Sequence, residues 1–246
     1  AKRPEDRGLE PDPAPNKPVE SVSAVAESES PSPAAVTEPS YTESSFTVRQ
    51  AFHTRAFWLL AAFTAAGFMV QGGLSLHQVA HYINQGLPGP TAALAASTFA
   101  FSQIFSAMFW AALGRRVPVR FLLSATAAIV VAAFGTSVSA TLPAELVSAA
   151  TVGFGVGGLH LLVRLAWADY YGREHLGTIR GFTMSAQIGG QAVGPVLAGF
   201  MFDATGSYQM PFLVFTGAAT LAAILALFAT PPKLSALTQE PAGRTA

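Results

Sequence analysis

The sequence has no cysteine and few charged residues. Among its 246 residues, Asp, Glu, Lys and Arg together make up 11%, whereas a soluble domain averages about 25%. The absence of Cys excludes disulfides, thiolate catalysis and Cys-based metal sites. The formal net charge is zero, and nucleic-acid-binding proteins usually carry a basic surface. We therefore expect no nucleic-acid partner.

The few charges lie mostly outside the apolar part of the chain. From Ala56 to Gly114 there is no Asp, Glu, Lys or Arg, which excludes a soluble helical bundle because soluble helices need a polar outer face. Residues 1–47 are instead rich in Pro, Glu, Ser and Ala, a composition typical of disorder. We predict a disordered cytoplasmic segment over 1–47. The chain begins with Ala and shows no signal peptide, so we expect a fragment.

Six apolar segments follow, each close to the ~20 residues that a helix needs to cross a bilayer. Turn-forming residues such as those in "NQGLPGP" separate them. We therefore predict an all-α fold, a polytopic membrane bundle of six transmembrane helices over 48–230, with a cytoplasmic tail at 231–246. The predicted spans are 56–83, 91–113, 119–139, 143–167, 178–202 and 210–229.

Basic residues predict the orientation of these spans. Loops that carry Lys and Arg stay on the cytoplasmic side of a membrane. Here the basic residues flank only alternate connections: Arg49 and Arg55, then Arg115, Arg116 and Arg120, then Arg173 and Arg180, then Lys233 and Arg244. We predict that both termini are cytoplasmic and that the protein is integral to a membrane.

Four of the six predicted spans carry polar side chains. The third and sixth have no His, Gln, Asn or charged residue, and polar side chains in a membrane face protein or water. Spans one, two, four and five should therefore surround a polar interior, with three and six outside. By helical spacing, we predict that five residues line a substrate cavity and form hydrogen bonds with a solute: Gln71, Gln78, His81, Gln187 and Gln191.

We predict a gating or structural role for a second group of polar residues: His160, Arg164, Asp169, Arg116 and Arg120. For Arg164 we favour a snorkelling side chain paired with Asp169 or a lipid headgroup over a gating role. The pairs Gly153/Gly157 and Ser102/Ser106 indicate close helix packing.

Two motifs resemble sites of other chemistry. "GFGVGG" at 153–158 matches G-x-G-x-x-G, but a dinucleotide site needs a preceding strand, and this run is an apolar helix. His77 and His81 have the spacing of helical metal ligands, but no third ligand is apparent in the sequence. We expect them to hydrogen-bond other helices, with a substrate or a coupling proton as the alternative partner. We predict no metal, no cofactor and no enzymatic activity.

Several segments resemble a known transporter family. "ADYYGREHLGTIRG", "GQAVGPVLAGFMFDATGSY" and "LHQVAHYINQG" are similar to bacterial members of the major facilitator superfamily near the monocarboxylate transporters and oxalate/formate exchangers. The resemblance implies that the chain is the carboxyl-terminal six-helix half of a twelve-helix fold, in which spans seven, eight, ten and eleven line the cavity.

Two departures from the family pattern stand out. Arg115 occupies the position where the loop after span eight usually has Asp, so the usual charge network of that loop is altered. The oxalate-type exchangers also place basic residues within spans eight and eleven. Here the second predicted span has none and the middle of the fifth has Gln187 and Gln191, so dicarboxylate exchange is not supported.

The predicted function is secondary transport of a small organic solute, with monocarboxylates and similar anions as the candidate class, by alternating access. The expected partners are the lipid bilayer, the solute and an amino-terminal six-helix half on the same or a separate chain. The alternative is a polytopic membrane protein that does not transport and instead serves interaction or assembly.

Overall fold

The computed structural model of the chain describes residues 46–134, 141–173 and 175–232. Within these ranges the chain forms helices and no strand, which confirms the predicted all-helical fold. The helices are α1 (Val48–Phe52), α2 (Arg55–Asn84), α3 (Gly89–Leu113), α4 (Val119–Phe134), α5 (Leu142–Tyr171), α6 (Leu176–Thr205) and α7 (Gln209–Phe228). Helices α2 to α7 overlap the six predicted spans in order.

Some of the predicted features lie outside the described residues. These are the segment 1–47 up to residue 45, the end of the third predicted span at 135–139, Glu174, and the tail 231–246 beyond Pro232.

Among the described residues, four helices are long and apolar enough to cross a membrane: α2, α3, α5 and α7. Helix α4 is apolar but spans 16 described residues. Helix α6 has 30 residues but is less apolar, since Gln187, Gln191 and several glycines interrupt its hydrophobic sequence. With the length of the other helices, this composition is that of an integral membrane bundle.

Local sequence signals account for the helix ends. The Thr54 side chain accepts a hydrogen bond from the Phe57 backbone N–H and so caps the start of α2. Proline lies in the first turn of both α3 and α5, where its missing N–H removes no helical bond. At the end of α6, Gly206 adopts a left-handed conformation with φ of 67°, which a residue without Cβ does easily.

The helices pack as two pairs that are joined by two further helices. Helix α2 packs along α6, and α5 packs along α3. Helix α4 contacts α5, α7 contacts α2, and α4 and α7 contact each other. These contacts are nearly symmetric between the first three helices and the last three. If α2 changes places with α5, α3 with α6, and α4 with α7, the α2–α6 contact becomes the α3–α5 contact and the α4–α5 contact becomes the α2–α7 contact. The polar helices therefore form the two pairs, and the apolar helices α4 and α7 connect them.

Glycines lie where the paired helices come closest. A Cβ added at Gly157 would clash with Ser106 Oγ and would lie 2.6 Å from the Gln103 carbonyl oxygen of α3. A Cβ at Gly153 would likewise meet the Phe99 carbonyl oxygen of α3. This confirms the predicted close packing of the Gly153/Gly157 and Ser102/Ser106 faces.

The α2–α6 pair has an equivalent contact. A Cβ at Gly190 would meet the Ala65 carbonyl of α2, and one at Gly194 would meet the Met69 carbonyl and lie 2.8 Å from the Gly73 nitrogen. Both pairs thus bring backbone against backbone through small residues.

Candidate functional site

Gln71 and His160 form a polar contact between α2 and α5, the two central helices. Gln71 is 7% exposed, and its amide nitrogen lies 2.7 Å from His160 Nε2. The amide donates, so Nε2 carries the lone pair and the neutral ring holds its proton on Nδ1. The His160 ring also stands edge-on to Phe68, with ring centroids 4.9 Å apart. Gln71 Oε1 has no partner among the described residues and is available to a donor.

His77 connects three parts of the bundle. Its Nε2 lies 3.0 Å from the Pro195 carbonyl oxygen of α6, and its Nδ1 lies 3.2 Å from the Tyr208 hydroxyl. Because the carbonyl only accepts, Nε2 donates, and in the neutral ring Nδ1 accepts from Tyr208. His77 therefore makes the contacts to other helical segments that the sequence predicts.

His81 differs from this prediction. It is buried, its Nε2 lies 3.0 Å from Gln85 Nε2 in its own helix, and its ring packs on Phe212 with centroids 4.2 Å apart. His81 and Gln85 are four positions apart, so the two side chains share a helical face and meet locally. Nδ1 of His81 has no partner among the described residues.

Gln78 and His81 line one small cavity at the end of the bundle near the α2–α3 connection. Its volume is about 30 Å³, which is room for a water molecule. Tyr82, Phe99, Ser148 and Phe212 contribute to the same wall. Gln71 lies about 15 Å from His81 along α2 at 1.5 Å per residue, so Gln71 belongs to a different level of the bundle.

Gln187 and Gln191 lie on α6 beside its contact with α2. Gln187 is half-buried and Gln191 is exposed, whereas Gly194 and Ala198, on the same predicted stripe, are buried. Neither glutamine side chain makes a hydrogen bond within the described ranges. The structure thus does not join them to Gln71 or Gln78, and a common cavity for all five residues stays a prediction.

The candidate gating residues are dispersed. His160 is half-buried beside Gln71, while Arg116 and Asp169 are exposed near the cytoplasmic ends that the charge pattern predicts. The Arg120 guanidinium lies over the Phe121 ring, 4.6 Å from its centroid, which is the geometry of a cation–π contact.

Arg164 does not form its expected pair with Asp169. Both side chains are exposed, and no ion pair joins these two described residues. Residues five positions apart on a helix point about 140° away from each other at 3.6 residues per turn, which explains the missing contact. A lipid headgroup remains as the predicted partner of the snorkelling side chain.

Glu145 is a polar residue that sequence reasoning did not select. It lies in the first turn of α5, is 0% exposed, and neither carboxyl oxygen has a partner among the described residues. A lone acid at a helix start usually faces water and complements the helix dipole, so its sequence position indicates a surface residue. Its burial arises from tertiary packing.

The comparisons with known proteins agree with the helical architecture. The family model described as Major Facilitator Superfamily matches residues 74–246, well over half of the chain. None of the curated proteins compared with the chain matches it.

Proposed function

The chain belongs to the major facilitator superfamily, and from that premise we propose that it is the carboxyl-terminal six-helix half of a secondary transporter. The superfamily is one of membrane transporters, so membrane transport is the activity of this fold. The proposed substrate is a small organic solute of the monocarboxylate class, carried by alternating access between two six-helix halves. The proposed location is a bacterial inner membrane with both termini in the cytoplasm.

The near-symmetry of the helix contacts carries this proposal. Two units of three helices, α2–α4 and α5–α7, exchange equivalent contacts. Because each unit crosses the membrane an odd number of times, the second enters from the opposite side. This is the inverted repeat from which each half of such a transporter is built.

Unpaired polar groups on the two central pairs support a solute site. Gln191 is exposed and Gln187 half-buried on α6, and Gln71 Oε1 is buried without a partner among the described residues. Amides at membrane depth need hydrogen-bond partners, since each unsatisfied group costs several kcal/mol. A facing half-bundle and a bound solute would supply these partners.

Transport by reconstituted liposomes tests the proposal. We expect saturable uptake of labelled lactate or acetate by this chain together with an amino-terminal half, and none by this chain alone. In that assembly Gln187→Ala or Gln191→Ala should raise KM by about 10- to 100-fold, because one hydrogen bond to a charged group contributes about 1.5–3 kcal/mol. Gln209→Ala, which alters an exposed glutamine at the start of α7, is the matched control.

Three results would contradict the proposal. Saturable uptake by this chain alone would exclude the half-transporter. Uptake of labelled glucose in preference to both carboxylates would exclude the substrate class. An unchanged KM in both glutamine variants would remove these residues from the site.

A further inference from the structure

Among the described residues, no side chain forms a hydrogen bond with the Glu145 carboxyl. The side chain is 0% exposed, and both oxygens lack a hydrogen-bond partner among the described residues. The Thr141 side chain at the N-cap of α5 forms no capping bond, and Pro143 in the same turn has no N–H to donate. The helix dipole, which usually stabilises an acid at a helix start, therefore acts on Glu145 without help from capping hydrogen bonds.

No cation faces this carboxyl from the helices that pack on α5. Helix α3 has no titratable residue, and α4 has only Arg120, at its other end. Helix α2 contributes His77, His81 and Tyr82 at this end and Arg55 at the other end. Of these, Tyr82 lies within electrostatic reach of Glu145. Helix α6 ends near this side of the bundle with the exposed Asp203 and begins on the other side with Arg180. The neighbouring side chains are thus neutral or far away.

A fully buried carboxylate without a hydrogen bond or a paired cation is unfavourable by several kcal/mol. A protonated carboxyl avoids this cost because it carries no charge. Ser148 and Ala149, one helical turn after Glu145 and on the same face of α5, line the small cavity that His81 and Gln78 also line. A water-sized space therefore lies within about one helical turn of Glu145, although Glu145 itself does not line it.

We propose that Glu145 is a proton-binding site that exchanges its proton with water at the outer end of the bundle. In the conformation described, the closed packing holds the carboxyl neutral. When this end opens, water solvates the carboxylate, the O–H bond breaks, and the proton leaves to that water as hydronium. The assignment of this end to the outer side, and the coupling of the proton to transport, rest on the proposed function.

Infrared spectroscopy of this chain in lipid nanodiscs tests the site without any solute. We expect the carbonyl stretch of a protonated carboxyl at neutral pH, lost in Glu145→Gln and retained in Asp203→Asn, which removes an exposed carboxyl near the same end. The band should be the same in sodium and choline buffers, since the occupant is a proton.

Each other outcome overturns the proposal. A wild-type spectrum without this band at neutral pH shows an ionised Glu145. A band that persists in Glu145→Gln belongs to another residue, and one that sodium removes indicates a metal-cation site. Failure of Glu145→Gln to fold also counts against it, because the amide replaces a neutral carboxyl of the same shape.

Transport provides a separate readout. In the two-half assembly, Glu145→Gln should retain exchange of labelled lactate across the membrane and lose the dependence of net uptake on pH. An absence of all transport in wild type would contradict the proposed function while the infrared result stands, so the two failures are distinguishable.

Discussion

Single glycines set how closely the paired helices approach. Gly157 of α5 lies directly against Ser106 and the backbone of Gln103 in α3, and Gly194 of α6 lies against the backbone of α2. Without a Cβ at these points, van der Waals contact extends from backbone to backbone, which is a main source of helix association in lipid.

Replacing Gly157 with alanine should destabilise the bundle. The added methyl group would overlap Ser106 Oγ and the Gln103 carbonyl, and overpacking of this kind costs about 1–3 kcal/mol. Thermal unfolding in detergent should show a lower midpoint. Gly217→Ala is the control, since a Cβ there meets nothing within 4 Å. Equal midpoints for the two variants would show that the α3–α5 contact relaxes freely.

The sequence predicts some of these residue contacts and not others. The glycine and serine faces of α3 and α5 follow from helical spacing alone, because four-residue steps return to the same side. The burial of Glu145 does not, because it depends on how α2 and α4 pack around the start of α5. The missing Arg164–Asp169 pair could have been foreseen, since five-residue steps diverge around a helix.

At the scale of elements, the segment around the short helix α1 connects the start of α2 with the end of α5. The Phe46 backbone N–H donates to the Tyr171 carbonyl at 3.0 Å. The Thr54 hydroxyl donates to the Ala51 carbonyl at 2.7 Å, so Tyr171 OH donates to Thr54 Oγ1, 2.8 Å away. Phe57 and Trp167 pack in the same aromatic cluster. This end is held by hydrogen bonds as well as by packing.

Removing the Tyr171 hydroxyl should loosen this corner. Tyr171→Phe should lower the free energy of unfolding by about 1 kcal/mol, the usual net value of one hydrogen bond. Thr54→Val should cost more, because the same hydroxyl oxygen also caps α2. A double-mutant cycle in detergent measures the coupling, with Thr54→Ser as the variant that keeps the hydroxyl. Additive effects would show that the contact contributes nothing.

Helix α6 overlaps its predicted span, but it is more irregular than the spacing of its apolar residues indicates. Pro195 lies inside the helix and has no N–H for the Gln191 carbonyl one turn earlier. A Cβ at Gly72 of α2 would meet that same carbonyl oxygen, and His77 donates to the Pro195 carbonyl. Neighbouring α2 therefore packs directly against the irregular part of α6, a tertiary contact that the sequence of α6 alone does not contain.

At the scale of the whole molecule, apolar length alone was sufficient to predict six helices in the right order. The sequence does not predict which helices pack against each other. Pairing α2 with α6 and α3 with α5 places in contact helices that are separated along the chain, and the polar stripes indicate which helices face inward without naming their neighbours. The near-symmetric exchange of partners emerges only in three dimensions.

The predicted topology can be tested because the chain has no cysteine. Thr141 and Arg115 are both exposed. A single cysteine at Thr141 places a label in a connection without basic residues, and one at Arg115 places it in a basic connection. Because basic loops stay in the cytoplasm, a membrane-impermeant maleimide should label Thr141→Cys in intact cells and Arg115→Cys only after permeabilisation. The reverse pattern would invert the orientation of the bundle.

The distance along the chain between interacting polar groups affects how the protein is made. Helix α2 leaves the ribosome before α5 and α6, yet Gln71 meets His160 of α5, and the carbonyl that His77 contacts lies 118 residues later. At about 5–20 residues per second, synthesis of that interval takes on the order of ten seconds. During this time α2 sits in the membrane with unpaired amide and imidazole groups. We therefore expect insertion of α2 to require machinery that keeps its polar side chains out of lipid until the later helices are made.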